Sequence, residues 1–206
     1  MNIVARRTPA ETRALILDAA WVLFRQLGSR TTIADVAETL GMSSANIYRF
    51  FPSKHALMEE VCANQLGALH GAARQAASQA ETASDKIRAV MMMLFAQMRE
   101  QMTNHRRVHE IVDVALTEQW APIDEFLAAN AALLAEIVGQ GQANGEFGPG
   151  DPSALGLSTL HACAVMHHPH MIAACFGETP KADADAIIDF ALRALRCRTQ
   201  AAEPGR

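Results

Sequence analysis

The chain has 206 residues, half of them hydrophobic, and a formal net charge of −4. Charged residues make up 19%, too few for a disordered chain, and aromatic residues only 5%, which favours helices over sheets. Four scattered cysteines exclude a disulfide scaffold and a zinc ribbon, and no apolar run approaches the ~20 residues that span a bilayer. The first residues also lack the apolar stretch of a signal peptide, so we expect a soluble, cytoplasmic, mainly helical protein with no membrane partner.

The charge is distributed unevenly along the chain. Residues 1–55 contain seven basic and four acidic side chains, whereas residues 56–206 contain eleven basic and eighteen acidic ones. A basic N-terminal segment on an acidic protein indicates that this segment contacts a polyanion. An excess of only three positive charges also arises by chance.

The first predicted element is an amphipathic helix over residues 10–27, where apolar residues recur at spacings of three and four. Thr8 supplies a capping hydroxyl and Pro9 a first-turn proline, and Gly28 ends the helix.

Two short helices follow, Ile33–Leu40 with Thr32 as its cap and a second from Ser43 to about Phe51. Gly41 can adopt the positive φ that the turn between them needs. The inward positions are apolar and the outward ones polar, as in a helix-turn-helix; the inward set is Val36, Ala37, Leu40, Met42, Ile47 and Phe50. An ordinary helical hairpin with glycine at its turn has the same pattern.

Every later stretch again has a helical pattern. We predict helices near 53–78, 83–103, 105–118, 121–144, 153–176 and 182–198. The clearest loop is Gly145–Pro152, with three glycines and two prolines in eight residues, and residues 199–206 are expected to form a frayed tail. The sequence therefore predicts an all-α protein of about nine helices.

The run from Thr31 to Leu57 resembles the DNA-binding segment of tetracycline-repressor (TetR)-type regulators. Its most specific part is Ile-Tyr-x-x-Phe-Pro-Ser-Lys at residues 47–54, which is too long and mixed to arise from periodicity. The close similarity covers about residues 8–58, and the rest is similar only as an acidic helical domain of suitable length. The resemblance implies a dimeric repressor in which a C-terminal ligand domain controls the spacing of two DNA-reading heads.

The resemblance also implies roles for side chains of the front segment. These DNA-binding residues are Thr32 and Ser43 as helix caps facing phosphates, Ser44, Ala45 and Asn46 at base edges, and Tyr48, Arg49 and Lys54 on the backbone. The chemistry agrees, since a tyrosine hydroxyl donates to phosphate and asparagine pairs bidentately with adenine. Arg6 and Arg7 are placed to extend as an arm onto the duplex. Two alternatives stay open, a core position for Tyr48 and simple solvated charges at Arg49 and Lys54.

Methionines are concentrated in the middle of the chain, where Met91, Met92, Met93, Met98 and Met102 lie within twelve residues. Methionine lines surfaces that adapt to different ligands, but its helical spacing here is also what core packing produces. The sharper interpretation, guided by the resemblance, is a pocket for an apolar or aromatic effector. Its predicted lining is Phe95, Met98, Met102, Ile111, Trp120, Phe126, Leu160 and Met166.

Four histidines near two cysteines suggest a metal site: His161, His167, His168 and His170. His161 and His168 are about 10 Å apart along a helix, too far for one ion, and Pro169 should kink the helix beside them. Buried, hydrogen-bonded or interface histidines fit this spacing better. The chain also lacks the Gly-x-Ser-x-Gly and His-Glu-x-x-His patterns, so we predict no catalytic residue, no enzyme, no metal and no cofactor.

The last two helices carry apolar and small residues that would let two copies approach closely. The positions are Ala154, Leu157, Leu160, Ala164 and Val165 in one, and Ile187, Ile188, Ala191, Leu192, Ala194 and Leu195 in the other. Two such pairs form a four-helix interface, and the resulting homodimer would read a palindrome. The alternative is that both stripes face only their own monomer.

These patterns, together with the resemblance, imply two domains, a helix-turn-helix DNA-binding domain at residues 1–55 and a helical effector-binding and dimerisation domain at residues 56–198. The expected function is that of a repressor which binds a palindromic operator in double-stranded DNA and is released by a small, largely apolar effector. Two alternatives remain, a helix-turn-helix protein without an effector and a helical metal-binding protein that uses the four histidines.

Overall fold

The computed structural model describes residues 7–104, 106–176 and 182–197. These residues form ten α-helices and two short 3₁₀ turns, with no strand among them. The helices are α1 (Pro9–Leu27), α2 (Ile33–Thr39), α3 (Ser44–Tyr48), α4 (Lys54–Ser78), α5 (Ala83–Asn104), α6 (Arg106–Thr117), α7 (Ala121–Ala143), α8 (Pro152–Ala162), α9 (Pro169–Cys175) and α10 (Ala184–Arg196). The predicted all-α fold is confirmed.

The chain divides into two compact units. The first unit is Met1–Leu66 together with Thr103–Asp124, and the second is Gly67–Met102 together with Glu125–Arg206. α6 therefore belongs to the same unit as α1, α2 and α3. The functional boundary after residue 55 stays a prediction.

The first unit is organised by the capping box at the start of α1 and by a shared apolar core. The Thr8 side chain accepts from the Glu11 backbone N–H at the start of α1, and the Glu11 carboxylate accepts from the Thr8 N–H in return. The core is formed by apolar side chains of α1, α2, α3, α4 and α6; its members include Ile16, Ala20, Phe24, Val36, Ile47, Phe51, Leu57, Ile111 and Ala115. The second, third and fourth helices are thereby fixed on one apolar centre.

The turn between α2 and α3 follows the sequence prediction. Gly41 has a φ of 62°, and the Met42 N–H donates to the Ala37 carbonyl at 2.8 Å. α3 is shorter than predicted and ends at Tyr48. Pro52 contributes to the early end, because it has no N–H to donate to the Tyr48 carbonyl in a longer helix and disfavours the helical conformation of Phe51.

The second unit packs around apolar faces of α5, α7, α8 and α10. Its most deeply buried side chains include Ile87, Met91, Leu94, Leu134, Val138, Leu160 and Ile188. Gly156 of α8 lies directly against the α7 backbone, since a Cβ at this position would be 2.5 Å from the Ala135 nitrogen. The Arg88 guanidinium of α5 pairs with Asp185 and Asp189 of α10.

The single helix predicted over 153–176 is wrong. α8 ends at Ala162, a 3₁₀ turn covers Ala164–Met166, and α9 begins only at Pro169. Proline has no N–H for a continuous helix but is well suited to the first position of a new one, which is where the structure has it. This break raises the number of described helices from about nine to ten.

Candidate nucleic-acid interface

Thr32 is the exposed N-cap of α2. Its hydroxyl accepts from the Asp35 N–H at 3.2 Å, and the Asp35 carboxylate accepts from the Thr32 N–H at 2.7 Å. The backbone N–H of Thr32, followed by the Thr32 hydroxyl and the Lys54 charge, holds the pKa of the Asp35 carboxyl below its usual value. A carboxylate that is ionised and bonded in this way fixes the start of α2.

The residues predicted to face base edges form the first turn of α3. Ser43 is the N-cap, and its hydroxyl accepts from the Asn46 N–H at 3.2 Å. Ala45 is exposed, whereas Ser44 and Asn46 are half-buried. The cap leaves the amide group of Asn46 available for other partners, because only its backbone is used.

Tyr48 and Arg49 project from the end of α3. Tyr48 is 50% exposed, so it is not a core residue, and Arg49 is exposed as well. Within the described parts of the chain, neither the tyrosine hydroxyl nor the guanidinium has a hydrogen-bonding partner. Both groups are thus free to donate to an external acceptor.

Lys54, at the first position of α4, is held in place rather than simply solvated. Its ammonium donates to the Ser29 carbonyl, and the side chain is half-buried. An ammonium group has three protons, so this bond leaves donors for a further acceptor.

Arg13 is a positioning residue that sequence reasoning missed. The guanidinium donates to the Glu60 carboxylate, with Nε 2.6 Å from Oε1, and to the Phe50 carbonyl at 3.0 Å. It also lies over the Phe51 ring, 4.5 Å from the ring centroid. It thereby ties α1 to the segment that follows α3. The sequence offered no signal for this role, because Arg13 is one of several charges on the polar face of α1.

Glu110 of α6 is a second residue that the sequence did not reveal. Its carboxylate accepts from the Ser29 hydroxyl at 2.8 Å and from the Ser29 N–H at 3.2 Å. The bonds to Ser29 are the main reason that the pKa of Glu110 is lowered, and Arg107 and Arg30 contribute further. α6 is in this way bonded to the 3₁₀ turn Gly28–Arg30 that precedes α2.

The predicted effector residues fall into different units. Ile111 and Trp120 lie in the core of the first unit, and the Trp120 indole donates to Glu118 at 2.8 Å. Of the predicted effector residues in the second unit, four are buried: Phe95, Phe126, Leu160 and Met166. Met98 is half-buried. The Phe95 ring is 4.6 Å from that of Phe176. The Met102 side chain lies outside the described residues, as does Arg6 of the predicted arm.

The four histidines in and beside the α8–α9 break have different environments. His167 is buried and its Nε2 lies 3.1 Å from the Leu160 carbonyl, whereas His161 and His170 are exposed. Burial, more than any other effect, lowers the pKa of His167 and of His168. The described residues contain no group of three or more His, Cys, Asp or Glu side chains that could hold a metal ion. The geometry therefore gives the metal-binding alternative no set of ligands in this part of the chain.

The residues predicted to form a dimer contact differ in burial, since some are covered by their own unit and others are exposed. The members that pack inside their own unit are Leu160, Ile188, Ala191, Leu192 and Leu195. Leu157 of α8 is 45% exposed and Phe190 of α10, which lies outside the predicted stripes, is 70% exposed. The outward apolar face of α8 and α10 thus keeps part of the predicted stripes, including Leu157, and adds Phe190.

Among the helices that the structure describes, none has both the length and the hydropathy needed to span a bilayer.

Two family models match the chain. Residues 83–188, just over half of the chain, match the tetracyclin repressor-like C-terminal domain, and residues 16–61 match the bacterial regulatory proteins of the tetR family. The second match contains α2, α3 and the start of α4, where the exposed side chains described above lie.

Similar proteins include the HTH-type transcriptional repressor KstR2 of Mycolicibacterium smegmatis, which is 27% identical over 68% of this chain and 70% of its own. A solved structure of the fatty acid degradation regulator FadR from Bacillus halodurans has a TM-score of 0.64 and 19% identity over 98% of this chain and all of that one. A transcriptional regulator from Cytophaga hutchinsonii has a TM-score of 0.70 and 17% identity over 90% of this chain and 99% of that one. Members of the matched family are regulators rather than enzymes. The chain belongs to the TetR family of helix-turn-helix transcriptional regulators.

Proposed function

We propose that this protein is a dimeric repressor that binds a palindromic operator and is released from it by a small, largely apolar effector. The observation that carries the proposal is the end of α3, where Tyr48 and Arg49 are exposed and have no partner among the described residues. An exposed hydroxyl and guanidinium beside a serine-capped helix are suited to a phosphate backbone.

Base recognition is proposed for the first turn of α3. Asn46 can pair with the N6 and N7 edge of adenine, and Ala45 can contact a thymine methyl group. Tyr48, Arg49 and Lys54 would hold the phosphates on either side. The short length of α3 limits the direct readout to a few base pairs in each half-site, so a second copy is needed to reach useful specificity.

Dimerisation is proposed through the outward face of α8 and α10. Phe190 and Leu157 are large apolar side chains with 70% and 45% of their surfaces exposed. Exposed apolar surface of this kind is costly in water and is typical of a contact with another protein surface. A two-fold axis would place the same face on both subunits and align two α3 helices with two half-sites.

The effector is proposed to bind in the second unit, among Phe95, Met98, Phe126, Leu160 and Met166. These residues would supply an apolar and polarisable lining that methionine can adjust to the shape of the ligand. Coupling is proposed through α4, a continuous helix whose residues 54–66 belong to the first unit and 67–78 to the second. Release requires only that the effector bind one of two arrangements of the dimer more tightly than the other.

Operator binding can be tested with duplex DNA from the region upstream of the encoding gene. Wild-type protein should form a specific complex at physiological salt, and Tyr48→Phe, which removes only the hydroxyl, should weaken it. Arg99→Gln is the matched control, because Arg99 is an exposed arginine of the second unit with no proposed DNA contact. Absence of a specific complex, or equal binding by the wild type and the Tyr48 variant, would overturn the proposed contact.

Effector binding needs a separate measurement. A panel of apolar and aromatic compounds should contain members that raise the melting temperature and dissociate the DNA complex. A protein that binds DNA but responds to no compound in either assay would support the alternative of a helix-turn-helix protein without an effector.

A further inference from the structure

The 3₁₀ turn Gly28–Arg30 is held from both sides by polar contacts within the first unit. Glu110 of α6 accepts from the N–H and hydroxyl of Ser29, and Lys54 of α4 donates to the Ser29 carbonyl. Both contacts use Ser29, so one turn joins α6 to the residue proposed to bind phosphate at the start of α4.

Two further arginines lie at this turn. Arg30 is part of it, and Arg107 of α6 packs against it, with its Cβ 3.2 Å from the position of a Cβ on Gly28. Both side chains are exposed, and both are near enough to Glu110 to lower its pKa. Neither guanidinium has a hydrogen-bonding or ion-pair partner among the described residues.

The position of these arginines is tied to the proposed DNA contacts. Arg30 is separated from Thr32 by one residue in the chain, and Ser29, which precedes it, is the acceptor for Lys54. Thr32 and Lys54 are both proposed to face phosphates. In the chain, Arg30 therefore lies between Ser29, which is bonded to Lys54, and Thr32, and Arg107 of α6 packs against the same turn at Gly28.

We propose that Arg30 and Arg107 bind DNA phosphates and that α6 is thereby part of the DNA-binding surface. The inference rests on the proposed function, since it requires that the first unit bind DNA. A guanidinium can hold phosphate oxygens bidentately, and each neutralised phosphate releases bound counterions. The surface also contains the carboxylates of Asp35 and Glu110, each bonded to a backbone N–H, against the three cations Arg30, Lys54 and Arg107.

The charge balance predicts opposite effects for neighbouring substitutions. Arg30→Gln and Arg107→Gln should each weaken DNA binding by about fivefold at physiological salt, because each variant leaves one phosphate without its arginine. The slope of log K against log salt should become shallower by about 0.9 for each phosphate that is no longer neutralised. Glu110→Gln should tighten binding, because the amide oxygen can still accept from Ser29 while a negative charge is removed from the surface.

The experiment is a salt titration of full-length protein with two duplexes of equal length, the upstream region of the encoding gene and an unrelated sequence. Because phosphate contacts carry no sequence information, the arginine variants should lose affinity for both duplexes by similar factors. Arg99→Gln is the control, because it removes one positive charge at an exposed position of the second unit. Circular dichroism melts of all variants establish that the fold is retained.

The outcomes separate this inference from the proposed function. If wild-type protein does not bind DNA, the proposed function fails and the inference with it. If wild-type protein binds while Arg30→Gln and Arg107→Gln match Arg99→Gln in affinity and slope, only the inference is overturned. Weaker binding by Glu110→Gln, with unchanged binding by the arginine variants, would also overturn it and leave the turn with a purely structural role.

Discussion

The Arg13 guanidinium and the Glu60 carboxylate, 47 positions apart in the chain, form an ion pair between α1 and α4, with Nε 2.6 Å from Oε1. The pair is partly exposed, so solvent screens much of its Coulomb energy. What distinguishes it from an ordinary surface pair is the third bond to the Phe50 carbonyl and the contact with the Phe51 ring. Arg13 thus supports the segment that follows α3 as well as the two helices.

Replacement of Arg13 by alanine should lower the free energy of unfolding by about 1–2 kcal/mol, because the charge-assisted bonds to Glu60 and Phe50 are both removed. Urea unfolding followed by circular dichroism measures the change. Arg99→Ala, at an exposed position, should change the stability by less than about 0.5 kcal/mol. Equal stabilities for the two variants would mean that Arg13 does not fix the helices.

Gly156→Ala should destabilise the second unit by about 2–4 kcal/mol, since the new methyl group would lie 2.5 Å from the Ala135 nitrogen and the α7 backbone cannot yield. Gly139→Ala is the matched control in α7, where the nearest atom is 4.0 Å away. Alanine there should stabilise the helix by about 0.5–1 kcal/mol. Thermal melts of both variants show whether each substitution raises or lowers the stability. If both variants are destabilised, the close approach of Gly156 to α7 is not the cause of the loss.

His167 should make the stability depend on pH. Burial lowers its pKa in the folded chain below the usual 6.5, so the unfolded chain takes up the proton first. Neutral His167 therefore contributes its full share to the free energy of unfolding above pH 6.5. This share is lost as the pH falls from 6.5 to the lower pKa of His167 in the folded chain. His167→Gln keeps a donor for the Leu160 carbonyl and cannot titrate.

The measurement is the melting temperature of the wild type and of His167→Gln between about pH 5 and about pH 8. The glutamine variant should have the flatter profile, whereas His161→Gln, at an exposed position, should retain the slope of the wild type. A glutamine variant with the wild-type slope would assign the pH dependence to other groups.

If the proposed dimer forms through this face, Phe190→Glu should convert it into a monomer, because a carboxylate cannot be buried without a partner in an apolar contact. Sedimentation velocity measures the change, and affinity for a two-half-site operator should fall with it. Met171→Glu is the control, since Met171 is also a large exposed apolar residue of the second unit but lies on α9. If both variants sediment as the wild type does, the outward face of α8 and α10 is not the interface.

The parts of this molecule that depend on near neighbours could be predicted from the sequence. The caps of α1 and α2 each need only a threonine and an acidic residue three positions later, and Gly41 needs only the turn in which it lies. Periodicity also located most helices to within a few residues. These features share one property, which is that their interactions span no more than five positions in the chain.

Contacts between distant segments could not be obtained in this way. Nothing about Arg13 or Glu110 as single residues indicates their partners Glu60 and Ser29, because side-chain pairing across helices depends on the packing of the whole unit. The exposure of Phe190 could not be predicted for the same reason. The apolar stripe of α10 is visible in the sequence, but periodicity alone does not say which side of the helix the rest of the unit covers.

The membership of α6 in the first unit has a consequence for the order in which the protein is made. The core around α2 and α3 includes Ile111, Ala115 and Trp120, which the ribosome adds long after residue 66. A nascent chain that has emerged only as far as α4 therefore exposes an incomplete apolar surface next to the DNA-reading helices. We expect a fragment ending at Leu66 to aggregate or remain loosely packed, and the helix-turn-helix to mature only after the chain has passed Asp124.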